Sequence, residues 1–275
     1  MITAQLDPAE HRASGVWDYI SPSRLNLWLK CPLAFRLRYL DGIRSPPSQA
    51  QFVGKAVHRA AEFYYRHRQL GITLSVNCVT RHISESWDRA VQDEGLTFSS
   101  SADESAFQHE AVRLVETYLA QLPADEPRPL AVETTLEQPL VDPDTGEDLG
   151  IPLLGVLDLV LDDPTGPSIV DFKTAKRSSS ALDVVHEVQL SSYAWLFRQS
   201  AGRREGSLEI RSLVKTKTPK IVTHEFPARR DVHFRRLFTV VRAYLDNLDS
   251  GRFVFRPGWN CATCDFQTQC RGWLD

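Results

Sequence analysis

The chain contains the stretch LLGVLDLVL (residues 153–161), which is soon followed by SIVDFKT (residues 168–174). Both stretches have the length and the apolar, β-branched composition of buried strands. Between them, DPTG (residues 163–166) consists of residues that favour turns. If this loop joins two antiparallel strands, Asp158 lies opposite Asp171. The two stretches therefore predict a hairpin that brings two carboxylates together in an apolar setting.

The opposed carboxylates of Asp158 and Asp171 require a positive charge, because like charges repel and an apolar environment strengthens the repulsion. Strand alternation places Asp158 on one face with Val156 and Val160, and it places Lys173 on the face of Asp171. Lys173 supplies one charge, and a divalent ion bound by carboxylate oxygens, Mg²⁺ or Mn²⁺, would supply the rest. The alternative is a salt-bridged surface hairpin with both aspartates facing water. The apolar flanks favour the metal site.

Helical periodicity dominates the chain before a proline-containing linker at residues 123–129, and strand patterns dominate after it. This order predicts an α/β fold: a mixed central β-sheet flanked by helices, with a helical N-terminal portion and a C-terminal cysteine cluster loop. We expect a flexible arm over residues 1–19 and one domain over residues 20–275. Its parts are a helical part (20–122), an α/β core (130–250) and a tail (251–275) joined to Cys31. Helices are predicted from Pro22, from Pro32 to Leu40 and at 54–70, 78–94, 104–122, 182–200 and 231–249, and strands at 130–137, 152–161, 168–173, 208–215 and 221–226.

The composition is that of a globular protein, with 42% apolar and 24% charged residues and a formal net charge of −3. This charge argues against indiscriminate binding of nucleic acid by the whole surface. The first residues carry no secretory signal, and no apolar run is long enough to span a bilayer, so we expect a cytoplasmic protein with no membrane partner. A phosphate-binding G-x4-G-K-[ST] loop is absent from the sequence, so no ATP-driven motor is expected.

The cysteines are distributed as metal ligands would be. Cys261, Cys264 and Cys270 form a cluster near the C-terminus, and Cys31 precedes a proline far upstream. In a reducing cytoplasm thiols favour metal ligation over disulfides. Three thiolates leave a tetrahedral site one ligand short, and Cys31 is the natural fourth, whereas Cys78 has the setting of an ordinary buried thiol. Four thiolates could hold Zn²⁺ or an iron–sulfur cluster, and spacing alone does not decide between them.

Four motifs together resemble the PD-(D/E)XK nuclease superfamily, and within it the RecB-type branch. They are GKAVH (residues 54–58), Asp158, DFK (residues 171–173) and QLSSY (residues 189–193), in the order that this branch shows. With the cysteines, the resemblance covers roughly residues 20 to 272. It implies a restriction-endonuclease-like core and a single RecB-type nuclease domain over residues 20–275.

The resemblance also implies roles for individual residues. Mg²⁺ or Mn²⁺ would be held by His58, by Asp158, by Asp171 and by the backbone carbonyl of Phe172. Lys173 would orient or activate the attacking water near the scissile phosphate. The catalytic set implied by the family is Asp158, Asp171, Lys173, Gln189 and Tyr193.

Three polar residues have plainer explanations when each is taken alone. His58 could be a core histidine, and Gln189 could be a buried amide that binds the sheet edge. Glu133 stands where some relatives keep an acidic residue near the metal, but its position favours a solvent-facing strand residue. We treat it as a possible auxiliary residue.

The distribution of the four cysteines resembles the iron–sulfur subgroup of RecB-type nucleases, which includes CRISPR-associated nucleases and helicase–nuclease subunits. That resemblance implies a 4Fe–4S cluster on Cys31, Cys261, Cys264 and Cys270, with structural Zn²⁺ as the alternative. The expected function is a DNA exonuclease acting on single-stranded or free ends, with Arg24, Arg36 and Arg38 as possible DNA contacts. Helicase or CRISPR integrase proteins are possible partners. The alternative function is a non-catalytic iron–sulfur DNA-binding or scaffold subunit of such a complex.

Overall fold

The computed structural model describes residues 15–177 and 183–273. The first fourteen residues of the predicted arm, residue 182 of a predicted helix and residues 274–275 of the tail therefore lie outside the described residues. The helices are α1 (Pro22–Lys30), α2 (Pro32–Tyr39), α3 (Gln49–Gln69), α4 (Val76–Asp93), α5 (Ser101–Ala120), α6 (Asp183–Ala201), α7 (Asp231–Ser250) and α8 (Gln267–Arg271), with a 3-10 helix at Trp259–Thr263. The strands are β1 (Pro129–Val141), β2 (Asp148–Leu161), β3 (Ser168–Ala175), β4 (Ser207–Val214) and β5 (Lys220–Pro227).

The strands form one mixed sheet in the order β1-β2-β3-β4-β5. Strands β3 and β4 are parallel and are joined by α6, because a parallel connection has to cross one face of the sheet. The other neighbouring strands are antiparallel. This arrangement confirms the predicted α/β fold with a mixed central sheet flanked by helices.

Helices cover both faces of the sheet, and each face has its own apolar core. The first core packs α1, α6 and α7 against the sheet, and the second packs α3, α4 and α5 against the opposite face. Among the helices that the structure describes, none combines the length and apolarity needed to cross a lipid bilayer.

Two segments differ from the sequence-based expectation near the N-terminus. Residues 15–19, expected to belong to a flexible arm, are packed, because Val16 is buried in the first core and Ile20 bridges to Leu153. Helix α3 begins at Gln49, five residues before the predicted start. The Ser48 hydroxyl accepts from the Gln51 amide, and the Gln51 side chain accepts from the Ser48 amide, which forms a capping box.

Strand alternation breaks in β2 at Asp158. Leu157 and Val160 both pack in the first core, whereas Leu159 packs in the second. A regular strand would place Leu157 and Leu159 on the same face. The predicted common face of Val156, Asp158 and Val160 is therefore wrong, since Val156 is exposed and Val160 is buried. Irregularities of this kind redirect a side chain, and they are frequent beside active sites.

The pairing of β2 with β3 is short and ends beside Asp158. It runs from the pair Leu161–Ser168 to the pair Leu159–Val170. Asp158 and Asp171 occupy the next pair of positions in this register. There the amide of Phe172 donates to Asp158 Oδ2 at 2.8 Å instead of continuing the backbone ladder. The sheet therefore opens where the two aspartates lie.

Candidate metal centre and active site

Three acidic residues occupy matching positions on three neighbouring strands. Continuing the registers of β1–β2 and β2–β3 places Glu133 opposite Asp158 and Asp158 opposite Asp171, although no ladder pair forms there. Asp158 and Asp171 are buried, at 9% and 1% exposure. Glu133 has a φ of 43°, the only positive value at a non-glycine residue in the described part of the chain. Side chains with a Cβ rarely adopt this conformation, which marks a locally strained backbone.

Helix α3 brings His58 to the acids. A Cβ on residue 54 would lie 2.9 Å from Thr174 Oγ1, so glycine at this position allows α3 to approach β3 closely. One turn later, His58 Nδ1 lies 3.6 Å from Asp158 Oδ2 and 3.9 Å from Glu133 Oε1. Ligand atoms of His58, Glu133 and Asp158 all lie within 4.8 Å of one another. One imidazole nitrogen with two carboxylates is a donor set that fits Mn²⁺ or Mg²⁺.

The side chain of Asp171 belongs to a second, adjoining group. Lys173 Nζ lies 2.9 Å from Asp171 Oδ1 and 2.7 Å from Oδ2. Gln189 Nε2 donates to Asp171 Oδ1 at 2.9 Å and to the Tyr193 hydroxyl at 2.8 Å. Because Gln189 and Tyr193 are one turn apart on α6, they face the sheet together. The structure thus brings together all five residues of the predicted catalytic set.

The acids change the proton affinity of the site in the absence of a metal ion. Burial, with the neighbouring Asp171 charge, raises the pKa of Asp158 to about 7, even though His58 and the Phe172 amide oppose the shift. Burial alone would lower the pKa of His58, but the carboxylates of Glu133, Asp158 and Asp171 outweigh it and raise that pKa. A cation in the site would oppose both shifts, because it favours the ionised form of Asp158 and the neutral form of His58.

Phe172, which links the two groups, is fixed from behind by aromatic side chains. Its ring stacks on Tyr65 with centroids 6.1 Å apart and meets Tyr118 edge-on at 5.5 Å. The two tyrosine hydroxyls bind Arg211 Nη1, at 3.2 and 2.8 Å, and Arg211 forms a buried ion pair with Glu126. Burial and the Glu126 charge raise the pKa of Tyr118 to about 12 although Arg211 opposes the shift, so Tyr118 stays protonated. Sequence patterns did not identify this network, because its members are far apart in the chain.

A groove of about 890 Å³ opens on the α3 side of the site, and we call it the α3 groove. Arg38 is exposed on its wall, whereas Arg36 pairs with Asp41 at 3.4 Å and does not line it. The predicted DNA contact at Arg24 is wrong. Arg24 is 7% exposed, since its guanidinium donates to the carbonyls of Val16 and Tyr19 and covers the Tyr19 ring.

The geometry agrees with a comparison of the sequence with protein families. The model of the PD-(D/E)XK nuclease superfamily matches residues 19–271. The chain belongs to this superfamily. Its members hydrolyse nucleic acids with the help of divalent metal ions, and the group of His58, Glu133 and Asp158 is suited to hold such an ion. The chain is therefore a metal-dependent nuclease.

The chain is also similar to solved structures. One similar structure is a candidate exonuclease from Eubacterium rectale, which is 16% identical, with a TM-score of 0.57 over 99% of this chain and 93% of that chain. Another is SSO0001, which is 14% identical, with a TM-score of 0.46 over 98% of this chain and 94% of that chain. The first likeness concerns the fold alone, and the second is too low to carry an argument. A search of curated proteins found no match.

In this nuclease the four predicted cluster cysteines line one cavity of about 380 Å³ between α2 and the C-terminal segment. Burial and the three other thiols raise the pKa of Cys270. Among the described residues, no three cysteine sulfurs lie within 4.8 Å of one another. The four thiols that the sequence singled out therefore converge on one cavity.

The placement of Glu133 corrects the sequence-based interpretation. A solvent-facing side chain was favoured, but the Glu133 carboxylate lies beside His58 and joins the metal-capable group. The usable signal was its position opposite Asp158, which appears only when the register of β1 with β2 is known. Regular alternation could not reveal it, because the backbone at Glu133 is not extended.

Proposed function

We propose that this chain is a DNA exonuclease that acts on single-stranded or otherwise free DNA ends. The observation that carries the proposal is the meeting of the group of His58, Glu133 and Asp158 with the Asp171–Lys173 pair where β2 and β3 separate. A structural metal site would not need a lysine amine, 37% exposed, beside the ligands. A site that binds and cuts a phosphodiester does.

The proposed ligands of Mg²⁺ or Mn²⁺ are His58, Asp158, Asp171 and the backbone carbonyl of Phe172, with Glu133 as the auxiliary acid. Such an ion, when bound, eases the ionisation of water and offsets the charge that builds on the phosphate. The donor atoms support the assignment, because an imidazole ligand favours Mn²⁺ over Mg²⁺ more than oxygen ligands alone would.

The other polar residues position the reactants. We assign to Lys173 the orientation of water and of the scissile phosphate, since its amine reaches the edge of the α3 groove. Gln189 holds the Asp171 carboxylate, and Tyr193 in turn binds Gln189. Burial and the nearby acids raise the pKa of Tyr193, so its hydroxyl stays neutral and acts as a hydrogen-bonding group.

The cysteine cavity is proposed to hold a 4Fe–4S cluster through Cys31, Cys261, Cys264 and Cys270, with Zn²⁺ as the alternative. The convergence of all four cysteines on one cavity supports a metal group there. Closing a loop of about two hundred residues with such a cluster removes chain entropy from the unfolded state, so its role would be structural.

DNA is the proposed partner in the α3 groove. Arg38 is the best-placed cation for a phosphate contact, because Lys55 and Arg59 are paired with Glu94 at 2.6 and 3.2 Å. Such contacts make binding weaker as salt rises. A helicase or CRISPR integrase protein as partner, and a cytoplasmic location, remain proposals from the resemblance.

The test compares two substrates of one sequence, a linear and a circular single-stranded DNA, each incubated with Mn²⁺ and the purified protein. We expect the linear DNA to be degraded from an end and the circle to persist. Degradation of both at equal rates would refute the exonuclease assignment and leave an endonuclease.

Variants separate catalysis from binding. Asp158→Asn and Lys173→Met should each abolish cleavage. The controls Asp162→Asn, directly after β2, and Lys220→Met, on β5, are at exposed positions and should retain cleavage. If the wild type is as inert as Asp158→Asn but still binds DNA, the non-catalytic DNA-binding or scaffold function takes over.

A further inference from the structure

A second cavity meets the site from the opposite side of the sheet. It has a volume of about 500 Å³ and lies between the start of α1, the middle of β2 and the first half of α6, so we call it the α1–α6 cavity. Its lining includes Tyr19, Ser23, Asn26, Val156, Gln189 and Tyr193. Cavities of this size hold small organic molecules.

The α1–α6 cavity and the α3 groove share two lining residues, Asp158 and Lys173. These residues lie where the pairing of β2 with β3 has stopped, so the two spaces meet at the opening in the sheet. A phosphodiester placed at Asp158 and Lys173 has a nucleoside on each side. One nucleoside then points to the α3 groove and the other to the α1–α6 cavity.

The two spaces differ in chemistry. The α3 groove carries several charged side chains, among them Arg38, Lys55, Arg59 and Asp265. Apart from Asp158 and Lys173, the described residues that line the α1–α6 cavity are uncharged. They offer hydroxyls, amides and aromatic rings beside apolar surface. That combination suits a neutral, flat base and its sugar better than a chain of phosphates.

Tyr19 lines the cavity and is half-buried. The Arg24 guanidinium carbon lies 3.7 Å from the centroid of the Tyr19 ring and covers one of its faces. Arg24 is itself held by the carbonyls of Val16 and Tyr19, so the ring has a fixed orientation. A prearranged aromatic face lowers the entropic cost of stacking a base.

We propose that the α1–α6 cavity binds the nucleoside on one side of the scissile phosphate, with Tyr19 and Asn26 contacting its base. This inference rests on the proposed nuclease function and deepens it. The cavity makes the base next to the cut a determinant of substrate binding, while the strand on the other side lies in the α3 groove.

The first experiment removes single bases from the substrate. Linear DNA with one abasic residue at successive positions is cleaved by the wild type with Mn²⁺, and kcat/KM is measured for each. Loss of a stacked base should lower kcat/KM by about fivefold or more at one position next to the cut. Equal kcat/KM for all abasic substrates would overturn the proposal while leaving the nuclease function intact.

The second experiment fills the cavity. Asn26→Trp places a large ring at its rim, and Asn77→Trp, at an exposed position on α4, is the matched control. Asn26→Trp should lower kcat/KM on intact DNA by about fivefold. For this variant, kcat/KM on intact DNA should exceed kcat/KM on the abasic DNA by less than about twofold, whereas the control should behave as the wild type. Unchanged cleavage by folded Asn26→Trp would overturn the proposal.

A binding measurement needs neither cleavage nor a variant. Calorimetry with metal-free wild type compares deoxyadenosine monophosphate with deoxyribose 5-phosphate, which lacks the base. We expect the nucleotide to bind at least about fivefold more tightly, because its base stacks on Tyr19. Equal affinities would refute the base site. If the protein does not cleave DNA but still binds the nucleotide more tightly than deoxyribose 5-phosphate, only the nuclease function is refuted.

Discussion

Glu133 provides a direct test of strain at the metal centre, because its φ of 43° penalises any side chain with a Cβ. The perturbation is a pair of substitutions, Glu133→Ala and Glu133→Gly, both of which remove the carboxylate. Alanine keeps the strain and glycine relieves it. A left-handed conformation costs a residue with a Cβ about 1–2 kcal/mol. Glycine in a strand normally loses about 0.5–1 kcal/mol relative to alanine.

The net expectation is that Glu133→Gly is more stable than Glu133→Ala by roughly 0.5–1 kcal/mol, because relief of strain exceeds the entropic loss. Glu137, exposed on the same strand and without a positive φ, is the matched control, and there glycine should be the less stable substitution. The difference between the two positions isolates the strain, about 1–2 kcal/mol.

The assay is urea denaturation followed by tryptophan fluorescence, with EDTA present to remove metal. A glycine variant less stable than the alanine variant at both positions would refute the strain. Both Glu133 variants should also bind Mn²⁺ more weakly than the wild type in calorimetry. Weaker Mn²⁺ binding by both variants would mean that the strained backbone at Glu133 lowers stability but places a carboxylate that binds the metal.

Three further predictions concern charge and the cysteine cavity. Metal-free protein should lose up to about 4 kcal/mol of stability as pH rises from about 4 to about 7. The reason is that the pKa of Asp158 is raised to about 7, so the folded state binds this proton more tightly than the unfolded state does. In urea titrations, Asp158→Asn should flatten this pH dependence. Arg211→Met should cost about 3–5 kcal/mol in the same assay, since it leaves the buried Glu126 short of a partner. Cys31→Ala should yield colourless protein without iron, measured by absorbance and iron analysis, whereas Cys78→Ala should keep both; unchanged colour in Cys31→Ala would contradict its role as a ligand.

The sequence was sufficient for the centre of the fold. The DPTG loop and the two apolar stretches predicted a hairpin with Asp158 next to Asp171, and the register continues to those positions. Local chemistry determines such a hairpin, since turn residues and strand length set the pairing.

Features that depend on distant contacts were not predictable. Arg24 was expected as a possible DNA contact, yet it is buried and the carbonyls of Val16 and Tyr19 accept its hydrogen bonds. Glu133 was expected to face solvent, yet its backbone departs from the extended conformation and its carboxylate lies beside His58. Neither the hydrogen bonds of a folded N-terminal segment nor a positive φ leaves a pattern in residue types.

The site lies where it does because Asp158 takes a hydrogen bond that the sheet would otherwise use. Its carboxylate accepts from the Phe172 amide, so the ladder between β2 and β3 cannot continue past Leu159. The side chain of Phe172 is held on the other face by Tyr65. The core therefore fixes Phe172, whose amide binds Asp158 and whose carbonyl is a proposed metal ligand. Activity should consequently be sensitive to the packing of Tyr65 and Tyr118 behind Phe172.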